Sequence, residues 1–193
     1  MASPRPFSAR PLDFIYFIFF MIHIPASLLV DFQAIYPSHL VPRLIQVIPT
    51  WYVGMSGDPF IGGAMGFLGN KSDYVWFKTF LYLEAAFQFP VFILGLRGLW
   101  KESRLIYVLL VIYGASTSTT TLACLSVLMQ TPTTSPSTIA ANVVSVSSTQ
   151  RMMLLSSYLP FFFLPLGMTV DMGLRIQSLV VSGLRADKGS KAQ

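Results

Sequence analysis

The chain has 193 residues, 53% of them hydrophobic and only 11% charged, against about 25% charged in a typical soluble domain. That balance excludes an ordinary soluble enzyme and suits one compact membrane domain. The net charge of +5 is not a nucleic-acid signature, because the basic residues lie in short segments between apolar stretches.

Residues 1–10 read as a short polar tail. The first apolar stretch, Pro11 to about Ile35, is too long for a signal-peptide core, and Asp31 and Phe32 stand where a small-residue cleavage site would lie. It reads as a retained first helix. The segment Tyr36–Tyr74 is too apolar for a disordered linker, while Pro37, Pro42, Pro49 and Pro59 break any long helix. A folded lumenal cap of short helical pieces is expected there. Asn70-Lys71-Ser72 fits the glycosylation sequon, but lies too near the next span to be modified readily.

The second stretch runs from Trp76 to about Leu99 and the third from Leu105 to Met129. Their connection, Gly98–Arg104, is short, which predicts antiparallel neighbours. The Ser-, Thr- and Pro-rich segment from about Gln130 to Gln150 reads as a flexible lumenal loop. The fourth stretch, Met152 to about Leu174, is followed by a basic tail, helical at first and disordered from about Asp187. Each stretch reaches the roughly 20 residues that cross about 30 Å of hydrocarbon.

Nine basic residues (Arg5, Arg10, Arg97, Lys101, Arg104, Arg175, Arg185, Lys188, Lys191) fall on one side of these spans and four (Arg43, Lys71, Lys78, Arg151) on the other. The positive-inside rule then places both termini in the cytoplasm. Pro25, Pro90, Pro160 and Pro165 each remove a backbone donor inside a span and predict kinks around a pocket. The expected fold is therefore an all-α membrane protein, a four-transmembrane-helix bundle with kinked helices and a lumenal cap between helices 1 and 2. Its parts are a cytoplasmic tail at 1–10, the membrane domain at 11–180 and a cytoplasmic basic tail at 181–193.

Two carboxylic acids, Asp31 and Glu84, lie inside these apolar runs. Each costs roughly 2.5–3.5 kcal/mol at membrane depth on insertion scales, so each is expected to have a partner and a task. Antiparallel first and second helices bring both into the lumenal half of the bundle, with Gln88 one turn beyond Glu84. The pair is expected to share one proton, with a neutral Glu84 donating to an ionised Asp31. It would hold the ammonium of a cationic amphiphile or, if the protein is an enzyme, deliver a proton to an apolar substrate. The hydroxyl cluster Ser116–Thr121 reads as a packing surface or the polar end of a pocket, with Tyr113, Tyr158 and Phe161 to Phe163 as aromatic walls. Cys124 is the only cysteine, so no intramolecular disulfide or cysteine-based metal site can form. His23 and His39 stand in no metal-ligand spacing, and no cofactor is implied.

A first helix ending LLVDFQAIYP, then WY and DPF, then WFKTFLYLEAAFQFPVF, and finally LLSSYLPFFFLPL resemble the sigma-two-receptor branch of the EXPERA domain family, in the emopamil-binding protein group. The resemblance covers about Pro11 to Arg175, and the chain is identified as a fungal member. It implies a bundle of the endoplasmic reticulum membrane that binds sterols or cationic amphiphilic lipids, acts in sterol and lipid homeostasis or transport, pairs as a homodimer and meets lipid-transport membrane proteins. It also implies that Asp31, Glu84, Asp58, Tyr158 and a threonine within Thr119–Thr121, taken as Thr120, surround the ligand; Gln88, on the same face as Glu84, is expected beside them. The sterol isomerases of the group carry a histidine one turn before the glutamate; here that position is Phe80. The alternative is an enzyme that uses Glu84 and Asp31 for sterol isomerisation or terpenoid cyclisation.

Overall fold

Proline at a helix's first turn forfeits only an amide that has no intrahelical partner, and Pro11 opens the first long helix in this way. In a computed structural model, which describes residues 4–191, α1 spans Pro11–Leu29 and ends in a 3₁₀ turn, Asp31–Ala34. Two shorter helices follow, α2 (Arg43–Ser56) and α3 (Pro59–Met65). Their sharp junction depends on Gly57, which takes φ 64°, a left-handed conformation that a side chain would disfavour. The second span is built from α4 (Val75–Leu83), a π-helical turn (Glu84–Gln88) and α5 (Phe89–Trp100). Pro90, in the first turn of α5, has no amide to give to a regular α-helical ladder. Helix α6 (Tyr107–Gln130), the short α7 (Pro136–Ala140) and α8 (Ser148–Lys191) complete the chain.

Among the described residues, four helical segments are long and apolar enough to cross a membrane: Pro11–Ala34, Lys71–Trp100, Arg104–Gln130 and Ser148–Lys188. Large apolar side chains such as Ile22, Tyr82, Ile93, Ile112 and Phe163 point outward from them, as a lipid-facing surface requires. The spans pack mainly as two pairs, α1 with α5 and α6 with α8. The first pair is antiparallel: Phe20 meets Phe92 and Gly95, while Ser27 meets Glu84. Two buried clusters result. One gathers Phe20, Phe92, Leu110, Tyr113 and Met168, and the other gathers Phe60, Phe77, Leu81, Leu128 and Leu154.

The α6–α8 contact is close at Gly114. A Cβ there would lie 2.4 Å from Thr169 Oγ1 and 2.5 Å from the Pro165 carbonyl oxygen, which is backbone and cannot rotate away. Gly114→Ala is therefore expected to destabilise the protein by about 1–3 kcal/mol. Gly167→Ala, where a Cβ meets open space, supplies the control. Thermal unfolding of the two variants in detergent separates them, and equal midpoints would refute the close-packing argument.

Two expectations need correction, and the polar segment before α1 is held to the bundle. The Arg5 backbone and side chain donate to Glu102, and the buried Arg10 guanidinium donates to Asp13 and to the Leu99 carbonyl. The segment between α6 and α8 is folded rather than flexible. Ser135 and Thr138 form a capping box, Val146 is fully buried, and Arg151 donates to the carbonyls of Leu128 and Thr131 at the end of α6. Helix α8 also continues to Lys191, past the point where disorder was expected at Asp187. No proline interrupts it there, and Ala186 and Lys188 favour helix.

Candidate functional site

Polar residues recur at one-turn intervals on α1 and the turn that follows it: His23, Ser27 and Asp31. Spacing of i, i+4 keeps His23 and Ser27 on one face of α1, which meets the second span at Glu84; Asp31 follows just past the helix end. A cavity of about 280 Å³ opens between the two buried clusters, near the lower end of the range for small-ligand pockets, about 300–1,000 Å³. Its apolar wall includes Val30, Phe77, Phe80, Leu81 and Phe161. Asp31, Glu84, Gln88, Thr120 and Tyr158 line it too, together with His23, Tyr52, Thr117 and Cys124.

Glu84 opens the π-helical turn and Gln88 closes it. Such a turn inserts one residue per loop of backbone and is frequent at functional sites; here it leaves both side chains on the cavity wall. Glu84 Oε1 accepts a hydrogen bond from Ser27 Oγ and lies 3.6 Å from His23 Nε2. The expected direct bond from Glu84 to Asp31 is not made, because Ser27 and His23 on α1 reach Glu84 instead. Gln88 Nε2 donates to Ser116 Oγ at 3.3 Å.

The Asp31 carboxylate accepts no hydrogen bond from any described residue, although Glu84 and Asp58 lie within its electrostatic reach. In an apolar cavity that is an unfilled acceptor.

Asp58, expected at the ligand, stands behind the wall. It is the N-cap of α3 and is fully buried. One oxygen accepts from the amides of Phe60 (2.8 Å) and Ile61 (3.1 Å). The other accepts from the hydroxyls of Tyr52 (2.8 Å) and Tyr158 (2.9 Å). Asp58 thus holds two cavity-lining tyrosines in place from α2 and α8. Burial pushes its carboxyl above the usual carboxylate range, and these four donors partly oppose that rise.

The hydroxyls of Ser118, Thr119 and Thr120 bond back to carbonyls of their own helix. Thr120 nevertheless faces the cavity, where its oxygen keeps acceptor capacity. His23 was legible only as a scarce residue, yet it packs at 4.5 Å on the Phe92 ring and edge-on to Phe161 at 4.6 Å. The sequence signal for it is its place one turn before Ser27 and two before Asp31.

A second polar cluster lies at the other end of the bundle, where Asp13 bridges Arg10 (2.8 Å) and Arg175 (2.6 Å), and Arg175 also pairs with Asp171 (2.8 Å). It ties α1 to α8 and satisfies its own charges.

A family model described as EXPERA (EXPanded EBP superfamily) matches residues 44–172. Sigma intracellular receptor 2 from Xenopus tropicalis is 29% identical over 165 residues, 85% of this chain and 89% of that protein. The protein of the same name from Homo sapiens is 27% identical over 161 residues, 83% of this chain and 86% of its own length. Efficient mitochondria targeting-associated protein 19 from Saccharomyces cerevisiae is 29% identical over 160 residues, 78% of this chain and 91% of that protein.

Proposed function

The chain belongs to the EXPERA (EXPanded EBP superfamily) family, and from that premise we propose that it binds sterols or cationic amphiphilic lipids in the cavity between its spans. It does so as a multi-pass protein of the endoplasmic reticulum membrane, with both termini cytoplasmic, in sterol and lipid homeostasis or transport. It works as a homodimer alongside lipid-transport membrane proteins. The observation that carries the binding role is the Asp31 carboxylate, which lines a largely apolar cavity with no hydrogen-bond donor among the described residues. An ammonium group would complete it, and the apolar wall would take the ligand's hydrocarbon body. In this reading Asp31, Glu84, Gln88, Thr120 and Tyr158 touch the ligand, and Asp58 positions Tyr158.

A photoreactive sterol added to membranes holding the protein is expected to label residues between Phe77 and Leu81 and between Ser157 and Phe161. Mass spectrometry of the labelled peptides reads the result, and the wild-type protein is expected to co-purify with lipid. Labels confined to outward residues such as Ile93 and Phe163 would overturn the assignment.

One observation favours an enzymatic reading. Glu84 and His23, 3.6 Å apart at the cavity, form a pair of the kind that could exchange a proton with a bound alkene. A sterol-8-ene or an epoxyprenyl substrate would then give product that Glu84→Gln abolishes. Product from neither substrate would remove this reading.

A further inference from the structure

Helix α2 presents large side chains on two opposite sides. Pro49 and Val53 are buried on one of them, and Tyr52 beside them lines the cavity. Leu44, Val47, Trp51 and Met55 lie on the other. Their spacing of i, i+3, i+7, i+11 keeps them in one narrow stripe at 3.6 residues per turn. They are between 46% and 85% exposed, so the protein itself leaves the stripe uncovered. Arg43, at the start of the helix, is the only charged residue from Leu40 to Ser56. A helix built in this way rests its bare face on an apolar partner.

The depth of α2 decides what that partner is. The Gln33 side-chain amide donates to the carbonyls of Leu29 and Ile45 at 2.6 and 2.8 Å, so the first turn of α2 is level with the end of α1. Val53, near the other end, packs in one buried cluster with Phe77, Leu81 and Leu154. Tyr52 and Tyr158 converge on the Asp58 carboxylate. Leu29, Leu81 and Tyr158 all belong to membrane-crossing segments. Tyr158 is seven residues past Arg151, about 10 Å further along α8. Both ends of α2 therefore lie at the depth of the spans rather than above them.

At that depth a helix borders the headgroups and outer acyl chains of one leaflet. Water against the stripe would leave an apolar patch of the kind that soluble surfaces avoid. A second copy is a poorer occupant, because helices in membranes associate through small and polar residues and this stripe is made of large apolar ones. Trp51 suits lipid, since an indole ring favours the interface between headgroup and hydrocarbon.

We propose that α2 is an interfacial membrane helix, with Leu44, Val47, Trp51 and Met55 set into the leaflet at the end of the bundle where α1 finishes and α8 begins. The helix that walls the cavity with Tyr52 is thus held by lipid on its other side. This placement rests on the membrane spans and holds whatever the cavity binds.

The test uses the full chain in phosphatidylcholine nanodiscs, where both membrane faces meet solvent. The emission that Trp51→Phe removes is the share of Trp51, separate from Trp76 and Trp100. That share is expected to fall by roughly half or more with a lipid carrying a nitroxide near its headgroup. It should fall less with a nitroxide at the acyl terminus, and hardly at all with acrylamide in the water. As a second reading, Arg43→Cys is expected to react with a water-soluble maleimide about tenfold faster than Val47→Cys, because an apolar environment disfavours the reactive thiolate. The native Cys124 is buried and stays silent. Should Trp51→Phe fail to fold, the maleimide comparison stands by itself. Quenching by acrylamide but by neither lipid, or equal maleimide rates, would put the stripe in water and overturn the proposal. Stronger quenching from the acyl terminus than from the headgroup would overturn an interfacial position. Protection from all three quenchers that is lost at one copy per disc would put a second copy on the stripe, which also overturns it.

Discussion

Asp58→Ala is expected to lower stability by about 3–5 kcal/mol and to abolish capture of neutral and cationic ligands alike. The substitution strands four donors at once: the amides of Phe60 and Ile61 and the hydroxyls of Tyr52 and Tyr158. A buried donor left unpaired costs about 1–3 kcal/mol, and loss of an N-cap alone about 0.5–2 kcal/mol. Partial relaxation keeps the total below the sum. Capture fails because Tyr158 and Tyr52, both on the cavity wall, lose their anchor. Thermal unfolding in detergent and binding of one ligand from each class check the result. An Asp58→Ala protein that stays stable but loses only cationic ligands would instead make Asp58 a direct ligand contact.

The same residue sets a sign for pH dependence. Burial raises the Asp58 carboxyl above its unfolded value, so between the two values the folded state holds a proton that the unfolded state has released. Its contribution to stability is present in full below the ordinary carboxylate range and is lost as pH rises through the raised value. Unfolding followed from about pH 4 upward is expected to show this decline in the wild type and a shallower one in Asp58→Asn. A wild-type midpoint that rises over that window, with Asp58→Asn removing the rise, would reverse the assignment.

Asp31→Asn is expected to weaken a cationic amphiphile about 10–100-fold while changing a neutral sterol less than about threefold. Hydrogen bonds to a charged group are worth about 1.5–3 kcal/mol, and each 1.4 kcal/mol is tenfold in affinity. Stability should change little, since no described residue donates a hydrogen bond to this carboxylate. Direct binding of the two ligand classes to purified wild type and variant decides the matter. Equal losses for both would count against ammonium pairing and for a general role in shaping the cavity.

Asp31, Glu84 and Gln88 stand out in the sequence because a polar group in an apolar run is anomalous wherever it points, and all three line the cavity. Ser27 and His23 sit on the same stripe and follow from the same spacing, but their partner is Glu84, 57 and 61 positions along the chain. Asp58 entered only through the family resemblance, although an acid before proline suits an N-cap by local rules. Whether its second oxygen faced a ligand or two tyrosines depends on how α3 docks against α8. Asp13 reads as an ordinary charge at the edge of a span, and only the return of α8 brings Arg175, 162 residues away, to within 2.6 Å. The α6–α8 connection has the composition of a flexible loop, and Val146 seated in the core makes it a folded one.

The four spans and the presence of acids at membrane depth follow from the sequence by itself. Hydrocarbon thickness is met by a run of neighbouring residues, and a carboxyl within such a run is anomalous before any neighbour is known. What each acid does was decided only by the tertiary structure. Of the two acids in the spans, Asp31 lines the cavity with no donor among the described residues and Glu84 is held by serine near histidine, while Asp58, between the spans, is sealed behind the wall by four donors. Those differences arise from side chains that meet across helices far apart in the chain, where no local pattern records the distance.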